Sequence, residues 1–355
     1  MKILYDHQTF AGAKFGGIPR YFYELIKNSS GLYLPELSGV HFQNEYLKSL
    51  KNFNKEFFIK ANFRGKDCII SKLNTISSLH RISASDYNIL HATYYDLYYL
   101  DKIRKPLVIT IHDMVHEMFL RYFYKKTEIK NKRILMGKAD KIIAVSKNTK
   151  NDILKIYPEI DEHKIHVIYH GNSFIQSDKI SEKKNYILYV GERFGYKNFD
   201  LFVNAVSSIL IKYDLDLVCT GSTFSIDEEL LFEKLGIKNR VKNKFVSEDK
   251  LKKLYEEAIC FVYPSLYEGF GIPILEAFAS NCPCLLSNAS CFPEVAGDAV
   301  EYFDPKSLID ICNAIEKVVS SPALQNEMIL KGQTVLQKYS WKKCAEEHAK
   351  IYKTF

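Results

Sequence analysis

Short apolar runs rich in Val, Ile, Leu and Tyr alternate along the chain with longer segments whose apolar residues recur at helical spacing. In the first half, the runs that predict strands are residues 2–7, 87–93, 106–113, 141–146 and 165–171. Helices are predicted between these strands, at residues 19–27 and 147–156. Strands that alternate with helices are typical of α/β proteins with parallel sheets, and this is the fold class that we predict.

The polar segment SDKISEKKN (177–185) interrupts this alternation and predicts a linker between two domains. Beyond it, strands are predicted at residues 186–191, 216–221, 244–247, 260–265, 282–287 and 300–303, with helices between them. At 355 residues the chain also exceeds the roughly 250–300 residues at which single cores tend to split. We therefore predict a first domain over residues 1–180 and a second over residues 181–337.

The composition is that of an ordinary globular protein, with 47% apolar and 26% charged residues. Its eight cysteines are irregularly spaced, and several lie in apolar runs where a free thiol behaves as a small hydrophobe. No signal-peptide pattern opens the chain, and no window approaches the length of about 18 apolar residues that a membrane span needs. These features predict a cytoplasmic protein with free thiols.

Charge is distributed unevenly along the chain. Residues 1–180 contain 28 Lys and Arg against 18 Asp and Glu, a balance of +10, which leaves 21 against 24, or −3, for the remainder. A basic first half predicts an anionic partner such as a membrane surface, although a solvated basic face without a partner gives the same balance. The basic aromatic stretch RYFYKKTEIKNKR (121–133) lacks an RNA-binding motif, so no nucleic-acid partner is expected.

The segment YPSLYEGFGIPILEAFA (263–279) carries the most informative chemistry. It predicts a strand end, a glycine-containing loop that begins at Glu268, and a helix that opens near Pro273 and carries Glu276 about one turn in. Glycines let a ligand approach the backbone, and free amides at a helix N-terminus attract phosphate or sugar oxygens. Both carboxylates therefore point to a binding site at the strand's carboxyl end. The alternative is a capping role for Glu268 and a solvated Glu276.

Three further segments carry candidate site residues. VGERFGYKN (190–198) places Arg193 and Lys197 on one loop. The planar guanidinium of arginine and the compact ammonium of lysine together suit a diphosphate. Gly16 and Gly17 lie between the first strand and a helix, and His112 ends the strand of TIHD (110–113). The alternative for Arg193 and Lys197 is a pair of solvated loop cations. For Gly16 and Gly17 it is an ordinary turn, and for His112 a core histidine whose hydrogen bonds are satisfied.

In this order, the segments resemble the retaining GT-B glycosyltransferases of family 4, whose E-x7-E element corresponds to Glu268 and Glu276. The resemblance implies two facing Rossmann-like domains with an interdomain cleft, the acceptor-side domain over residues 1–180 and the nucleotide-sugar donor-binding domain over residues 181–337. It also implies a C-terminal helix over about residues 338–355 that packs back on the first domain. It implies catalytic roles for His112, Arg193, Lys197 and Glu268. The implied donor-binding residues are Gly16, Gly17, Arg193, Lys197, Val246, Glu268, Gly269, Phe270, Gly271 and Glu276.

In such enzymes the basic pair holds the donor diphosphate, the first glutamate holds the sugar, and the second holds the ribose. The resemblance implies no cofactor and no metal, since the nucleotide sugar is a substrate. The triplet Asp214–Asp216 precedes an apolar strand, which favours a turn over a metal site. Cys282, Cys284 and Cys291 form too incomplete a set for zinc.

KILYDHQTF at the start, TYYD (93–96) and TIHDMVHE (110–117) resemble bacterial O-antigen and capsule mannosyltransferase members. The resemblance implies transfer of mannose from GDP-mannose to a polyprenyl-diphosphate-linked glycan in lipopolysaccharide biosynthesis. The enzyme is then expected on the inner face of the plasma membrane, as a peripheral protein on an anionic surface. The alternatives are a UDP- or dTDP-sugar donor with GlcNAc, Gal, Glc or rhamnose, a sugar-nucleotide 2-epimerase, and a non-catalytic nucleotide-sugar-binding protein.

Overall fold

A computed structural model describes residues 1–12, 14–50, 53, 65–123 and 126–355. The chain divides into two compact units: Met1–His170 together with Trp341–Phe355, and Gly171–Ser340. Of the basic aromatic stretch 121–133, residues 124 and 125 lie outside the described residues. No helix in the described ranges is long and apolar enough to cross a lipid bilayer.

The first unit is built on a six-stranded parallel sheet with the order β2-β1-β3-β4-β5-β6. Its strands are β1 (Lys2–Tyr5), β2 (Leu34–Leu37), β3 (Ile89–Ala92), β4 (Leu107–Ile111), β5 (Lys141–Ala144) and β6 (Ile165–Val167). Its helices are α1 (Gln8–Gly12), α2 (Gly17–Lys27), α3 (Lys66–Ala84), α4 (Val115–Met118), α5 (Lys126–Lys138) and α6 (Lys147–Ile156). Sequence reasoning missed β2, a four-residue edge strand that contains Pro35. Proline lacks the amide that a central strand needs and is confined to such edges.

The second unit contains another six-stranded parallel sheet, with the order β12-β11-β10-β7-β8-β9. Its strands are β7 (Lys184–Tyr189), β8 (Asp216–Thr220), β9 (Val241–Lys244), β10 (Ala258–Tyr263), β11 (Cys284–Ser287) and β12 (Glu301–Phe303). Its helices are α7 (Phe199–Lys212), α8 (Ile226–Lys234), α9 (Glu248–Glu257), α10 (Ile272–Ala279), α11 (Phe292–Ala296), α12 (Leu308–Val319) and α13 (Pro322–Leu336). The last helix, α14 (Trp341–Tyr352), belongs to the first unit.

The central strands of both sheets are nearly continuous apolar runs because helices cover both faces. Every residue of Leu107–Ile111 is buried, and α7 buries Phe199, Phe202 and Val206 in the core of the second unit. The strand predicted at 244–247 was wrong in its position along the chain. The structure has Val241–Lys244 instead, at an edge of the sheet where polar side chains reach solvent, and Phe245 beyond it is 90% exposed.

The polar segment 177–185 is attached to the second unit. The backbone N–H of Ser177 donates to the carbonyl of Ala279 at 2.8 Å. Lys183 Nζ donates to the carbonyls of Glu256 and Asn281, each at 2.9 Å. These bonds place the segment inside a unit that begins at Gly171, ahead of the boundary drawn at residue 180 from polar composition.

Candidate active site

The candidate residues of the second unit lie at the carboxyl ends of three adjacent strands. Strand β7 pairs with β10 on one side and with β8 on the other. The loop after β7 carries both Arg193 and Lys197, and the loop after β10 carries Glu268. Because parallel strands end at the same edge of a sheet, neighbouring loops there converge on one ligand-binding region.

Lys197 and Glu268 form an ion pair across two of these loops. The distance from Lys197 Nζ to Glu268 Oε1 is 2.6 Å, and the side chains are 18% and 13% exposed. The ammonium also lies 5.0 Å and 5.9 Å from the ring centroids of Tyr196 and Tyr263. Burial lowers the pKa of Lys197, but the charge of Glu268 and its hydrogen bond raise it more, so the pKa rises above its usual value. Lys197 therefore stays cationic at neutral pH.

A tight backbone turn holds Lys197 in place. Lys197 is the last residue of the short 3-10 turn Gly195–Lys197. Asn198 follows in the left-handed conformation with φ of 59°, and α7 begins after it. The Asn198 side chain donates to the carbonyl of Pro305 at 2.6 Å. Asparagine tolerates this conformation better than most residues, so the sequence YKN supplies both the cation and the turn that positions it.

Arg193 points to the other side of β7. Its Nε donates to Glu228 Oε1 at 2.6 Å, and its Nη2 donates to the carbonyls of Ser222 and Thr223 at 2.7 and 3.0 Å. The guanidinium carbon lies 4.7 Å from the Phe224 ring centroid, and the side chain is 3% exposed. Arg193 therefore binds the loop after β8, whereas Lys197 binds the loop after β10.

One nitrogen of the Arg193 guanidinium makes no hydrogen bond to the described residues. Nη1 is buried and has no hydrogen-bond partner among the described residues. A Cβ added at Gly221 would lie 3.7 Å from this nitrogen and 2.6 Å from the carbonyl oxygen of Gly191, so only glycine fits there. The loops after β7 and β8 thus approach each other closely beside the unpaired donor.

Glu228 is a residue that sequence reasoning missed. It receives the Arg193 bond and also completes a capping box at the start of α8, in which Ser225 Oγ accepts from the Glu228 N–H and Glu228 Oε2 accepts from the Ser225 N–H. Burial raises the pKa of Glu228, but the bonds from Arg193 and Ser225 lower it more, and the net pKa is below its usual value. The available signal was the spacing S-x-x-E, which is typical of a helix start.

The loop after β10 leads directly into α10, as predicted. Gly271 caps this helix with φ of 90°, and an added Cβ would lie 3.0 Å from Ile274 Cδ1 and 3.2 Å from Phe292 Cε1. The Phe270 ring is buried 5.8 Å from the ring of Tyr339. The backbone N–H of Glu268 donates to Ser290 Oγ at 3.1 Å.

Glu276 lies on α10 and is only 4% exposed. Tyr255 Oη donates to Glu276 Oε2 at 3.4 Å, and burial together with the charge of Glu276 raises the pKa of Tyr255 well above its usual value. The hydroxyl of Ser265, directly after β10, is buried without a partner among the residues described, and sequence reasoning did not single it out. Val246 is half-buried between β9 and α9.

In the first unit, Gly16 and Gly17 form the start of α2. Gly16 caps the helix with φ of 147°, a value that favours glycine, and both residues are exposed. His112 follows β4, and its backbone N–H donates to Tyr95 Oη at 3.2 Å. Burial lowers the pKa of His112 to about 4, and its Nε2 atom is buried with no partner in the described ranges. The imidazole is therefore neutral at physiological pH.

A buried network of polar side chains packs against the ring of His112. The Tyr21 ring packs edge-on against His112 at 5.1 Å between centroids. Tyr21 Oη bonds to His348 Nε2 of α14 at 2.6 Å and to Thr110 Oγ1 at 3.0 Å, and Thr110 in turn bonds to His91 Nε2 at 2.9 Å. Sequence reasoning missed His91 and His348 because they are distant in the chain and lie in no recognisable motif.

The triplet Asp214–Asp216 pairs with neighbouring cations. Asp214 Oδ1 lies 2.8 Å from Arg240 Nη1, and Asp216 forms an ion pair with Lys242 on β9. These contacts agree with the predicted turn before β8. Cys282 and Cys284 are buried in and beside β11, and burial raises the pKa of both thiols.

The sequence matches two family descriptions that meet in the middle of the chain. Residues 15–172 match Glycosyltransferase Family 4, and residues 172–335 match Glycosyl transferases group 1. Together the matches run from residue 15 to residue 335, and the chain belongs to this family of glycosyltransferases, as the motifs predicted.

Curated relatives are similar to this chain over part of their length. The O-antigen chain mannosyltransferase RfbU of Salmonella typhimurium is 33% identical over 226 residues, which is 60% of this chain and 61% of that protein. The serotype-specific mannosyltransferase WbdA of Escherichia coli is 27% identical over 270 residues, 68% of this chain and 32% of that protein. The match with RfbU thus spans about three fifths of the length of that relative.

Solved structures share the fold. HepE of Anabaena, in complex with UDP and glucose, superposes with a TM-score of 0.79 over 100% of both chains at 16% identity. The likeness, together with the two six-stranded parallel sheets, confirms the predicted GT-B fold class.

Proposed function

We propose that this protein transfers a sugar from a nucleotide diphosphate donor to a glycan acceptor with retention of anomeric configuration. The observation that carries the proposal is the Lys197–Glu268 pair, which lies at the carboxyl edge of the second sheet beside the glycine-capped start of α10. A cation, a carboxylate and free backbone amides are the groups that a diphosphate joined to a sugar requires.

Lys197 supplies positive charge for the departing diphosphate. Glu268 keeps the ammonium cationic and partly desolvated, and preorganised charge in such surroundings is usually the largest contribution to catalysis. Glu268 also accepts hydrogen bonds from hydroxyls of the transferred sugar, while the amides of Gly269, Phe270 and Gly271 bind sugar and phosphate oxygens. Glu276 binds the ribose, and the backbone near Val246 contacts the base.

Arg193 contributes a second positive charge to the donor site. Its Nε and Nη2 donors already bond to Glu228 and to the carbonyls of Ser222 and Thr223, so Nη1 is the nitrogen left to contact a diphosphate. The unpaired Nη1 remains available for a phosphate oxygen. Arg193 also orders the loops after β7 and β8, which gives it a positioning role as well.

His112, Gly16 and Gly17 contribute from the first unit. The pKa of His112 is lowered to about 4, so it acts as a neutral hydrogen-bond partner of a sugar hydroxyl and not as a cation. Its unpaired Nε2 supports this role. Gly16 and Gly17 are exposed at the N-terminus of α2, where free amides favour a phosphate oxygen.

The best-supported donor is GDP-mannose, and the best-supported acceptor is a polyprenyl-diphosphate-linked glycan of O-antigen or capsule biosynthesis. Support comes from the relatives, since RfbU and WbdA are both described as mannosyltransferases. A UDP- or dTDP-sugar is the alternative donor, and the HepE complex with UDP and glucose has the same fold. We further propose a cytoplasmic enzyme that associates with the anionic inner face of the plasma membrane through its basic first half.

The first experiment incubates the purified chain with GDP-, UDP- and dTDP-sugars, with and without EDTA, and measures release of the nucleotide diphosphate. Slow release from GDP-mannose that EDTA does not affect is expected. Lys197→Ala tests the site, and Lys234→Ala on the exposed surface of α8 is the matched control. If no nucleotide diphosphate is released from any donor, even with native membranes added as the source of acceptor, the proposed activity is contradicted.

A further inference from the structure

Lys132 of α5 is buried together with its charge inside the first unit. Its side chain is 0% exposed and forms an ion pair with Glu117 of α4, whose side chain is 3% exposed, with 3.0 Å between Lys132 Nζ and Glu117 Oε2. Burying two charges costs so much solvation that an apolar pair of similar volume is often equally stable or more stable. Stability alone therefore does not explain the pair, and none of the roles proposed above uses it.

The other contacts of Lys132 lie next to His112. Nζ donates to the backbone carbonyl of Asp113, the residue that follows His112, at 3.1 Å. It also lies 5.2 Å from the centroid of the Tyr95 ring, a distance at which a cation is attracted to the face of an aromatic ring. Together with the bond to Glu117, these contacts hold the loop after β4 on the C-terminal side of His112.

Tyr95 holds the backbone at His112 itself and just before it. The Tyr95 hydroxyl accepts from the His112 N–H at 3.2 Å and donates to the carbonyl of Thr110 at 3.2 Å. The residue is 6% exposed, so water competes little for these bonds. Two side chains that contact each other, Tyr95 and Lys132, therefore fix the backbone on both sides of His112.

A second residue of α5 contacts the same loop. Glu128 lies four residues before Lys132 and therefore on the same face of the helix. Glu128 Oε2 lies 3.5 Å from His116 Nε2, and Glu128 Oε1 accepts a hydrogen bond from Tyr94 Oη. One face of α5 thus holds the loop after β4 at two points, and a shift of the loop would break partly buried polar contacts.

Lys132 also acts on the protonation of His112. Burial is the largest cause of the lowered pKa of His112, which is about 4, while the charge of Asp113 raises this pKa and the charge of Lys132 lowers it. The rings packed against His112 include those of Tyr21 and His170. Burial keeps both of these rings neutral, because it raises the pKa of Tyr21 and lowers that of His170. Without Lys132, the charge of Asp113 would favour the imidazolium.

We propose that Lys132 is a positioning residue for His112. Through the Asp113 carbonyl and the Tyr95 ring it fixes the backbone that carries the imidazole, and Glu117 balances its charge in the buried surroundings. This inference rests on the proposed glycosyltransferase function, in which His112 contacts the transferred sugar, and adds to it the residue that holds His112 in place.

The kinetic test compares three variants of the full chain with the wild type. Lys132→Met/Glu117→Leu removes both charges and leaves an apolar pair in their place, so its urea midpoint is expected to stay close to that of the wild type. Lys132→Met alone leaves Glu117 buried without its cation and is expected to lower the midpoint. Lys138→Met, at an exposed position of α5, is the matched control.

Donor cleavage without acceptor is measured for each variant. In both variants of Lys132, kcat is expected to fall about tenfold or more, because a displaced imidazole loses its alignment with the sugar. The donor KM is expected to stay within about threefold of the wild-type value, since the second unit supplies most of the proposed donor contacts. Lys138→Met changes neither constant. Wild-type kcat in the stable double variant, or an equal fall in Lys138→Met, would overturn the inference.

An NMR experiment tests the position of His112 without any turnover. The imidazole resonances of the full chain, labelled with ¹⁵N-histidine, are assigned with His112→Gln. At pH 7 the His112 resonances are expected to shift in Lys132→Met/Glu117→Leu, and protonation on acidification begins at a higher pH, whereas exposed His163 is unchanged. Tyr95→Phe keeps the ring beside Lys132 but removes the acceptor of the His112 N–H, and it is expected to shift the same resonances.

The outcomes of the NMR experiment separate this inference from the proposed function. Unmoved His112 resonances in both variants overturn the inference, and if the double variant does not fold, unmoved resonances in Tyr95→Phe alone overturn it. If the wild type cleaves no donor but the resonances move as described, the proposed function fails while the positioning of His112 by Lys132 stands.

Discussion

Lys197 Nζ and Glu268 Oε1, which lie 2.6 Å apart, join the loops after two adjacent parallel strands. The pair has two consequences. It keeps a lysine charged in partly buried surroundings, and it leaves each residue dependent on the other for its electrostatic balance. Stability and turnover are therefore expected to respond differently when the two residues are changed separately and together.

Lys197→Met is expected to lower donor turnover at least 100-fold, because it removes the cation that is proposed to stabilise the leaving diphosphate. It also leaves the Glu268 carboxylate unpaired, which costs about 1–3 kcal/mol of unfolding free energy. Lys197→Met/Glu268→Gln is expected to recover stability but not turnover. Turnover and urea denaturation measured on the wild type and on both variants check this, and recovery of turnover in the double variant would show that the pair is only structural.

Arg193→Ala is expected to destabilise the protein by about 2–3 kcal/mol, since the partly buried Glu228 loses its cation and the carbonyls of Ser222 and Thr223 lose their donor. Turnover falls at least tenfold. Glu228→Gln retains the capping geometry and is expected to cost less. A double-mutant cycle in urea isolates the pairwise coupling, and a coupling energy near zero would contradict the structural role of Arg193.

Gly271→Ala is expected to lower the unfolding free energy by about 1–3 kcal/mol and to raise the donor KM, because the φ of 90° and the contacts with Ile274 and Phe292 leave no room for a methyl group. Gly137→Ala is the control. Gly137 lies within α5 with no atom within 4 Å of an added Cβ, so alanine there stabilises by up to about 1 kcal/mol. Equal effects on stability from the two substitutions would show that the start of α10 accommodates a methyl group at residue 271.

Stability is expected to fall as the pH drops from about 6.5 toward 4. Burial lowers the pKa of His348 to about 4, below the ordinary value of about 6.5, so the unfolded chain binds the proton more tightly. The stabilisation by neutral His348 is complete above pH 6.5 and is lost progressively below it. Urea unfolding at pH 7 and pH 5 is compared for the wild type and His348→Gln. The variant should lose less stability on acidification, and an equal loss in both would exclude His348 as a source.

Membrane association is expected to be reversible and weakened by salt. Met118 and Leu120 are 47% and 57% exposed next to Arg121, in the basic half of the chain. Each basic residue near an anionic leaflet contributes about 1 kcal/mol. Leu120→Gln should reduce sedimentation with phosphatidylglycerol vesicles, while Ile309→Gln, at an exposed position of the second unit, should not. Equal sedimentation with phosphatidylcholine vesicles at high salt would contradict an electrostatic mode.

The strands of both sheets were predicted well because a strand buried on both faces reads as an uninterrupted apolar run. Leu107–Ile111 and Ala258–Tyr263 are examples. The prediction failed at the edges of the sheets, at Leu34–Leu37 and Val241–Lys244, where one side of the strand faces solvent. The helix Lys66–Ala84 was also missed, since its apolar stripe is weak and few of its residues are buried.

The sequence by itself determined which side chains follow which strands, and hence that Arg193, Lys197 and Glu268 lie in loops at the carboxyl edge of the second sheet. Only the tertiary structure decided their partners. Because β7 lies between β10 and β8, the loop after β7 has a different neighbour on each side, and Lys197 meets Glu268 while Arg193 meets Glu228. Strand order is set by packing between segments that are distant in the chain. It therefore cannot be predicted from local patterns of apolar and polar residues.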